Sequence, residues 1–172
     1  MTVKQSRLKT GVLGIAVSAI MAALVCVATV IVQIPNPATR GYINIGDAMI
    51  FVSALTFGTF VGGIAGGIGS ALADVVSGYG LYAPFTLIVK GLEGVIAGLI
   101  TNRKNVTRDT LAVAIAGGEM ILGYFLIEFY LLQFGWAALT EVPGNIFQIV
   151  AGGVIGIPVA SILRRRLSAV LK

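Results

Sequence analysis

The chain has 172 residues, 57% of them hydrophobic and 11% charged, against roughly 45–50% apolar and about 25% charged in an ordinary soluble domain. Seven acidic and twelve basic residues at a mean hydropathy of +0.98 cannot cover the surface of a water-soluble globule, so the composition places the chain in a bilayer. Six spans at about 20 apolar residues each would use roughly 120 residues. Little is left for a soluble domain, so any nucleotide-hydrolysing or nucleic-acid-binding module is expected on another polypeptide. The pI of about 9.7 is read as Lys and Arg flanking the membrane. Histidine is absent and Cys26 is the one cysteine, which removes imidazole bases, His-ligated metals, zinc clusters and intramolecular disulfides. Cys26 sits in an apolar run and reads as a buried structural thiol.

The first apolar segment, Thr10 to Val32, follows Lys4, Arg7 and Lys9 and is too long for the apolar core of a signal peptide, so it is predicted as helix 1. Gln33 to Tyr42 holds Pro35, Asn36, Pro37, Arg40 and Gly41 and is predicted as an external loop. Asn44 to Ser77 is apolar but broken at Gly58 and Gly62-Gly63. Basic residues cluster at the N-terminus, at Arg103, Lys104 and Arg108, and at Arg164, Arg165, Arg166 and Lys172. Placing all three clusters on the cytoplasmic side requires an even number of spans. Asn44 to Ser77 is therefore a hairpin of helix 2 (Ile45 to Phe57) and helix 3 (Val61 to Val76). Helix 4 follows at Ala83 to Ile100, helix 5 at Thr110 to Phe134 and helix 6 at Val142 to Leu163. The expected fold is an all-α integral membrane protein of six transmembrane helices with both termini cytoplasmic. Helix 2 is short for a span and is expected to tilt or to begin below the outer interface.

Polar side chains inside apolar spans are costly and mark functional candidates. Asn44 and Asp47 open helix 2, Asp74 and Tyr79 close helix 3, and Tyr82 precedes helix 4, which carries Lys90 and Glu93. Tyr124 and Glu128 lie in the outer half of helix 5, and Asn145 and Gln148 open helix 6. Nearly all fall in the outer half of the membrane, as in a pocket that opens outward and is sealed below. Lys90/Glu93 and Asn145/Gln148 are spaced i, i+3 and Tyr124/Glu128 i, i+4, so each pair shares a helix face. Glu119 points about half a turn away from Glu128 and is expected to serve another contact. The competing reading makes these groups internal ion pairs, such as Lys90 with Glu93 or Asp74, and makes Asp47 a cap of helix 2. Amides, carboxylates and tyrosines together suit a flat heteroaromatic ligand, whereas Trp136 reads as part of the interfacial aromatic belt.

The glycine rows Gly62-x-x-x-Gly66, Gly63-x-x-x-Gly67, Gly69-x-x-x-Ala73 and Gly152-x-x-x-Gly156 let helices approach closely and match no phosphate-loop pattern. Ala19-x-x-x-Ala23 in helix 1, flanked by Ser18 and Ala22, is a smooth surface whose plain use is intramolecular packing.

Jointly these segments resemble the substrate-binding S component of energy-coupling factor (ECF) vitamin transporters. The residues that carry the likeness are Ala19-x-x-x-Ala23, Asn44-Ile45-Gly46-Asp47, the run Gly66 to Asp74 with Gly78-Tyr79, Lys90-Gly91-x-Glu93-Gly94, Gly123-Tyr124-x-x-x-Glu128 and Pro143-Gly144-Asn145-x-x-Gln148. The resemblance implies capture of a vitamin from outside and location in the cell membrane. It also implies docking of the Ala19/Ala23 surface onto a membrane coupling (T) subunit driven by two ATPases. No cofactor of the chain's own is implied, since ATP is used by those partners. Within the family the pattern looks most like the hydroxymethylpyrimidine or vitamin B6 type, with riboflavin-type members less similar. Three other readings stay open: a self-contained secondary transporter or channel, which would usually show internal repeats and polar groups across the midplane; a membrane enzyme using carboxylates and tyrosines; and a purely structural subunit.

Overall fold

The computed structural model describes residues 11–103 and 105–170; Lys4, Arg7, Lys9, Thr10, Lys104 and Lys172 lie outside the described residues. Among the described residues, helix α1 (Val12–Ile31) is followed by a two-stranded antiparallel hairpin, β1 (Gln33–Asn36) and β2 (Gly41–Asn44). Then come α2 (Asp47–Phe57), α3 (Thr59–Val76), α4 (Ala83–Ile100), α5 (Val106–Leu126) and α6 (Val142–Val170). A single π-helical turn, Ile127–Leu131, continues α5, and a 3-10 turn, Gly135–Thr140, leads into α6.

Five of these elements are long and apolar enough to cross a membrane by length and composition, counting α5 with its π turn and α6 with its 3-10 lead-in. The exception is α2. Its 11 residues rise only about 16 Å, roughly half a hydrocarbon core. It is enclosed by the other helices, and nine of its residues are buried. Phe51 and Leu55 pack with Ala97, Ala112, Ala116 and Ala160, while Ile50 and Val52 pack with Met21, Val25, Val61 and Ala65. A central helix surrounded by protein has its backbone ends satisfied by neighbours rather than by lipid.

The expected external loop after helix 1 is instead the hairpin. Pro35 faces Tyr42 and Asn36 faces Gly41 across it; a two-stranded sheet leaves its outer edges free, so Pro35 removes no needed ladder donor. The reversal Pro37 to Arg40 closes with Arg40 at φ +58°, and the turn-forming composition thus folds back rather than wandering. The break between α2 and α3 falls at Gly58, whose φ of +92° only glycine adopts without strain. The Arg103 guanidinium occupies the place a side chain there would need. Helix 5 starts earlier than the hydropathy suggests because Asn105 caps it, accepting from the Thr107 amide at 2.8 Å.

The glycine rows act where the sequence places them. A Cβ on Gly62 would lie 2.7 Å from the Gly94 carbonyl oxygen, one on Gly98 would lie 2.5 Å from the Thr59 nitrogen, and one on Gly66 would collide with the Lys90 carbonyl. The backbones of α3 and α4 are therefore in direct contact. Gly69 packs likewise against Ala22 and Val25 of α1, and Gly152 and Gly156 against Phe51 of α2. At the opposite end of the bundle from the hairpin, buried Asp109 accepts from Arg164 Nη2 at 2.5 Å and from Thr101 Oγ1 at 2.5 Å, which joins α4, α5 and α6. We refer to this as the basic end.

Gly94→Val puts two methyl groups against the α3 backbone and is expected to cost at least about 1–3 kcal/mol of stability. Gly118→Ala, on an exposed face of α5 with nothing within 4 Å, should change stability by no more than about 1 kcal/mol. Thermal unfolding of the two variants in detergent checks the contrast.

Candidate functional site

The hairpin lies over one end of the helix bundle and is fastened to it from three sides. The Tyr42 hydroxyl donates to Asp74 Oδ1 of α3 at 2.6 Å, and the Tyr82 hydroxyl, at the start of α4, donates to the Thr39 carbonyl at 2.8 Å. At the start of α6 the Asn44 amide donates to Gln148 Oε1 at 3.0 Å, and the Thr39 hydroxyl donates to Glu141. Beneath the hairpin is a narrow cleft whose cavity volume is about 40 Å³.

Each wall comes from a different helix. Asp74 projects from the last turn of α3, one helical turn beyond Ser70 toward the hairpin. Tyr82, Thr86 and Lys90 line the cleft from α4 at four-residue intervals, which keeps them on one face. Tyr124 and Glu128 line it from α5, and Glu128 falls in the π turn. Such single-turn insertions concentrate at functional sites, and here the turn carries a carboxylate that is only 2% exposed. Asn145 and Gln148 reach in from the first turns of α6. Their amides form a chain: Asn44 donates its backbone amide to Gln148 Oε1, and Gln148 Nε2 donates to Asn145 Oδ1 at 2.9 Å.

Lys90 forms the floor. Its ammonium is 2.5 Å from Asp47 Oδ1 and 3.2 Å from Glu93 Oε2, with all three side chains buried. It also sits 5.9 Å from the centre of the Tyr124 ring, within cation–π range. Below this floor, toward the basic end, the packing is the apolar core around Phe51 and Leu55. The cleft is polar at its walls and closed beneath. Burial, with the charge of Glu128 second, pushes the Tyr82 hydroxyl far above its ordinary range. Burial, then Asp74, does the same for Tyr42. Both phenols thus stay protonated donors across the physiological pH range.

Eight of the ten residues expected at a binding site line this one cleft: Asn44, Asp74, Tyr82, Lys90, Tyr124, Glu128, Asn145 and Gln148. Two do not. Tyr79 stacks on Tyr42, with ring centres 4.4 Å apart and planes tilted by 41°, and so braces the hairpin from outside. Glu93 lies fully buried beneath Lys90. Asp47 is a correction: its side chain caps no amide, and α2 is preceded by Gly46 with no side-chain cap bond. Asp47 instead pairs with Lys90, because a buried ammonium is the stronger claimant on a buried carboxylate. Lys90 pairs with Glu93 as expected, and Asp47 takes the place anticipated for Asp74. Glu119 is half-buried and stands outside the cleft, in keeping with its angular offset.

Tyr42, Thr29, Ser70, Thr86 and Glu141 also line the cleft and were not anticipated. Tyr42 lies in the segment expected as an external loop, and Glu141 lies between the predicted helices 5 and 6. The only signal for Glu141 is a carboxylate immediately before an apolar helix. On α1, Ala19 and Ala23 are exposed, so that row is not internal packing. Ser18 and Ala22 do not flank the surface: both are buried, a 100° step having turned them toward α3. Trp136 is 73% exposed beside Phe129, at a ring-centre distance of 5.2 Å, as an interfacial aromatic would be.

Comparison with known proteins fits this architecture. The model of the family described as "ECF-type riboflavin transporter, S component" matches residues 9–165, nearly the whole chain. The chain belongs to this family of transporter S components, which makes it a multi-pass membrane protein of a transport system. A Pyrococcus woesei protein named for its position in a gap 3′ region is 44% identical over 149 residues, covering 86% of this chain and 99% of that protein. The thiamine precursor transporter HmpT of Lactococcus lactis subsp. cremoris (strain MG1363) is 30% identical over 149 residues, 86% of this chain and 85% of the transporter. A UPF0397 protein of Streptococcus sanguinis (strain SK36) is 26% identical over 140 residues, 81% of this chain and 70% of that protein.

Lys90→Met strands Asp47 and Glu93 without a cation and is expected to cost about 3–5 kcal/mol. Adding Asp47→Leu should restore part of that loss, giving a coupling of at least about 1 kcal/mol in a double-mutant cycle. Unfolding of the single and double variants in detergent measures it.

Proposed function

We propose that the chain is the high-affinity substrate-binding S component of an ECF-type importer. It captures a small heteroaromatic vitamin or precursor from outside and passes it inward when coupled to a membrane T component and two ATPases. The observation that carries this reading is the cleft itself, which has polar walls from four helices and a hairpin cover and is closed beneath by a neutralised floor and an apolar core. A captured molecule has no continuous polar path to the basic end, so release requires movement of the whole chain or its partners. In this reading six helices lie in the membrane, with both termini and the basic end in the cytoplasm and the hairpin end outside. The chain needs no cofactor of its own.

A hydroxymethylpyrimidine or a vitamin B6 vitamer is the favoured ligand. The relative that transports a thiamine precursor supports the first, and the amides, carboxylates and tyrosine rings of the cleft suit either. Riboflavin is the second reading, favoured by the description of the matching family. Glu128, Asn145 and Gln148 contact the ligand. Asn44, Asp74, Tyr82, Lys90 and Tyr124 join them or hold the cleft, with Glu93 and Tyr79 supporting from behind.

Alanine at Glu128, Asn145 or Gln148, one at a time, is expected to weaken binding about 10- to 100-fold, the loss of one hydrogen bond to a charged or buried partner, while each variant still melts cooperatively. Unchanged affinity in all three would remove this site.

Ala19 and Ala23 form the docking surface for the T component, since they are exposed on a helix whose other face packs on α3. Trp at either position should leave ligand affinity unchanged and abolish uptake in cells that carry the coupling module. Loss of binding instead would remove the docking assignment.

A further inference from the structure

Resting on the capture reading above, we propose that the Thr29 hydroxyl hydrogen-bonds the captured ligand, which brings α1 into the binding site. Among the described residues Thr29 is the one member of α1 that lines the cleft. The same helix carries the exposed Ala19 and Ala23.

A serine or threonine inside a helix commonly spends its hydroxyl on the carbonyl one turn back. This chain follows that habit elsewhere. Ser18 donates to the Gly14 carbonyl at 2.8 Å, Ser53 to that of Met49 at 2.6 Å and Thr110 to that of Val106 at 3.0 Å. Thr86, which shares the cleft, accepts from the Tyr124 hydroxyl at 3.0 Å. Thr29 does neither. It is 2% exposed, and its Oγ1 is buried with no hydrogen-bond partner among the described residues. An unpaired polar group inside an apolar span is costly, and valine would fill the same space without that cost. Thr56 of α2 is also unpartnered but stands outside the cleft. What marks Thr29 is therefore the coincidence of an unpaired hydroxyl with a wall of the cleft.

The surroundings fix where that hydroxyl points. A Cβ on Gly46 would collide with Thr29 Oγ1 and would lie 3.0 Å from Asn44 Oδ1, so both oxygens face one spot at the entry to α2. Asn44 Oδ1 accepts there from the Gly46 amide at 2.8 Å. Thr29 thus stands beside the chain that runs from the Asn44 amide through Gln148 to Asn145, the last two of which hold the ligand in the capture reading. A hydroxyl both donates and accepts, so it can serve a ring nitrogen or an exocyclic group of a heteroaromatic alike. Its place on α1 also matters. Val25, one turn before Thr29, packs with Ala22 against Gly69 of α3, and Ala22, Val25 and Thr29 all belong to the buried side of the helix. A ligand held by Thr29 touches the inner side of the helix whose outer side is proposed to dock.

Isothermal titration of the detergent-purified full chain with 4-amino-5-hydroxymethyl-2-methylpyrimidine, pyridoxine and riboflavin, beside thermal unfolding without ligand, tests this. For whichever probe binds, Thr29→Val should weaken affinity at least about tenfold, while Thr29→Ser stays within about threefold of the unsubstituted chain. Thr56→Val, the same change at an unpaired hydroxyl away from the cleft, should leave affinity unchanged. Without ligand, Thr29→Val should melt no lower than the unsubstituted chain, because it removes a hydroxyl that bonds to nothing in the fold. Unchanged affinity in Thr29→Val overturns the inference. A lowered melting temperature also overturns it, since the hydroxyl would then serve the fold, as does equal loss of affinity in Thr29→Val and Thr29→Ser. In each of these cases the capture reading stands. Failure of all three probes to bind the unsubstituted chain overturns both.

Discussion

Lys90 is an ammonium buried at the centre of an apolar bundle, and the architecture of the hairpin end follows from the need to neutralise it. Asp47 and Glu93 lie within 2.5 and 3.2 Å of it, which fixes where α2 starts and how α4 is rotated. A charge held so far from water persists only if its partners are held equally firmly. The glycine rows supply that firmness. Because Gly66 meets the Lys90 carbonyl directly and Gly62 meets Gly94, α3 and α4 touch along their backbones, and Asp74 on one helix and Thr86 and Lys90 on the other reach a common space. Larger residues in those rows would push the helices apart and open the floor.

With the floor fixed, the hairpin completes the site. Its bonds run to α3, to the start of α4 and to the start of α6, so movement of the hairpin is felt by every wall. Two of those bonds use groups that also face the cleft: Asp74 accepts from Tyr42, and Gln148 accepts from the Asn44 amide. Binding a ligand and closing the cover therefore draw on the same side chains, which is how a capture site couples occupancy to shape. The far end differs in kind. There Asp109 accepts from both Arg164 and Thr101, and Arg164 also donates to the Ala160 carbonyl, which ties three helices together.

Much of this was legible in the sequence because the bilayer penalises polar groups so heavily. Lys90, Glu128, Asn145 and Gln148 stand out against apolar neighbours, and all four line the cleft, although Glu93, the i, i+3 partner of Lys90, lies beneath it. The small-residue rows were equally readable, since nothing but close helix contact needs so many glycines in a span. What escaped had no such contrast. Tyr42 sits in a polar segment where a polar residue is unremarked, and Glu141 sits between two predicted helices, outside any span. The hairpin is held by tertiary bonds that no local pattern encodes. The partnership of Asp47 with Lys90 joins residues 43 positions apart, whereas a helix-start aspartate suggests a cap from local reasoning alone. The spans of α2 and α5 shifted for similar reasons: burial of a short central helix and an Asn105 cap are decided by packing and hydrogen bonding rather than by hydropathy.

The central claim is that this chain captures a small molecule in the hairpin-covered cleft. The most direct test is native mass spectrometry of the detergent-purified protein, expressed in rich medium, followed by denaturation and identification of whatever is released. The account predicts one stoichiometric heteroaromatic vitamin or precursor per chain. A chain that emerges empty, and whose melting temperature is shifted by none of the pyrimidine, pyridine or flavin vitamins, would contradict it.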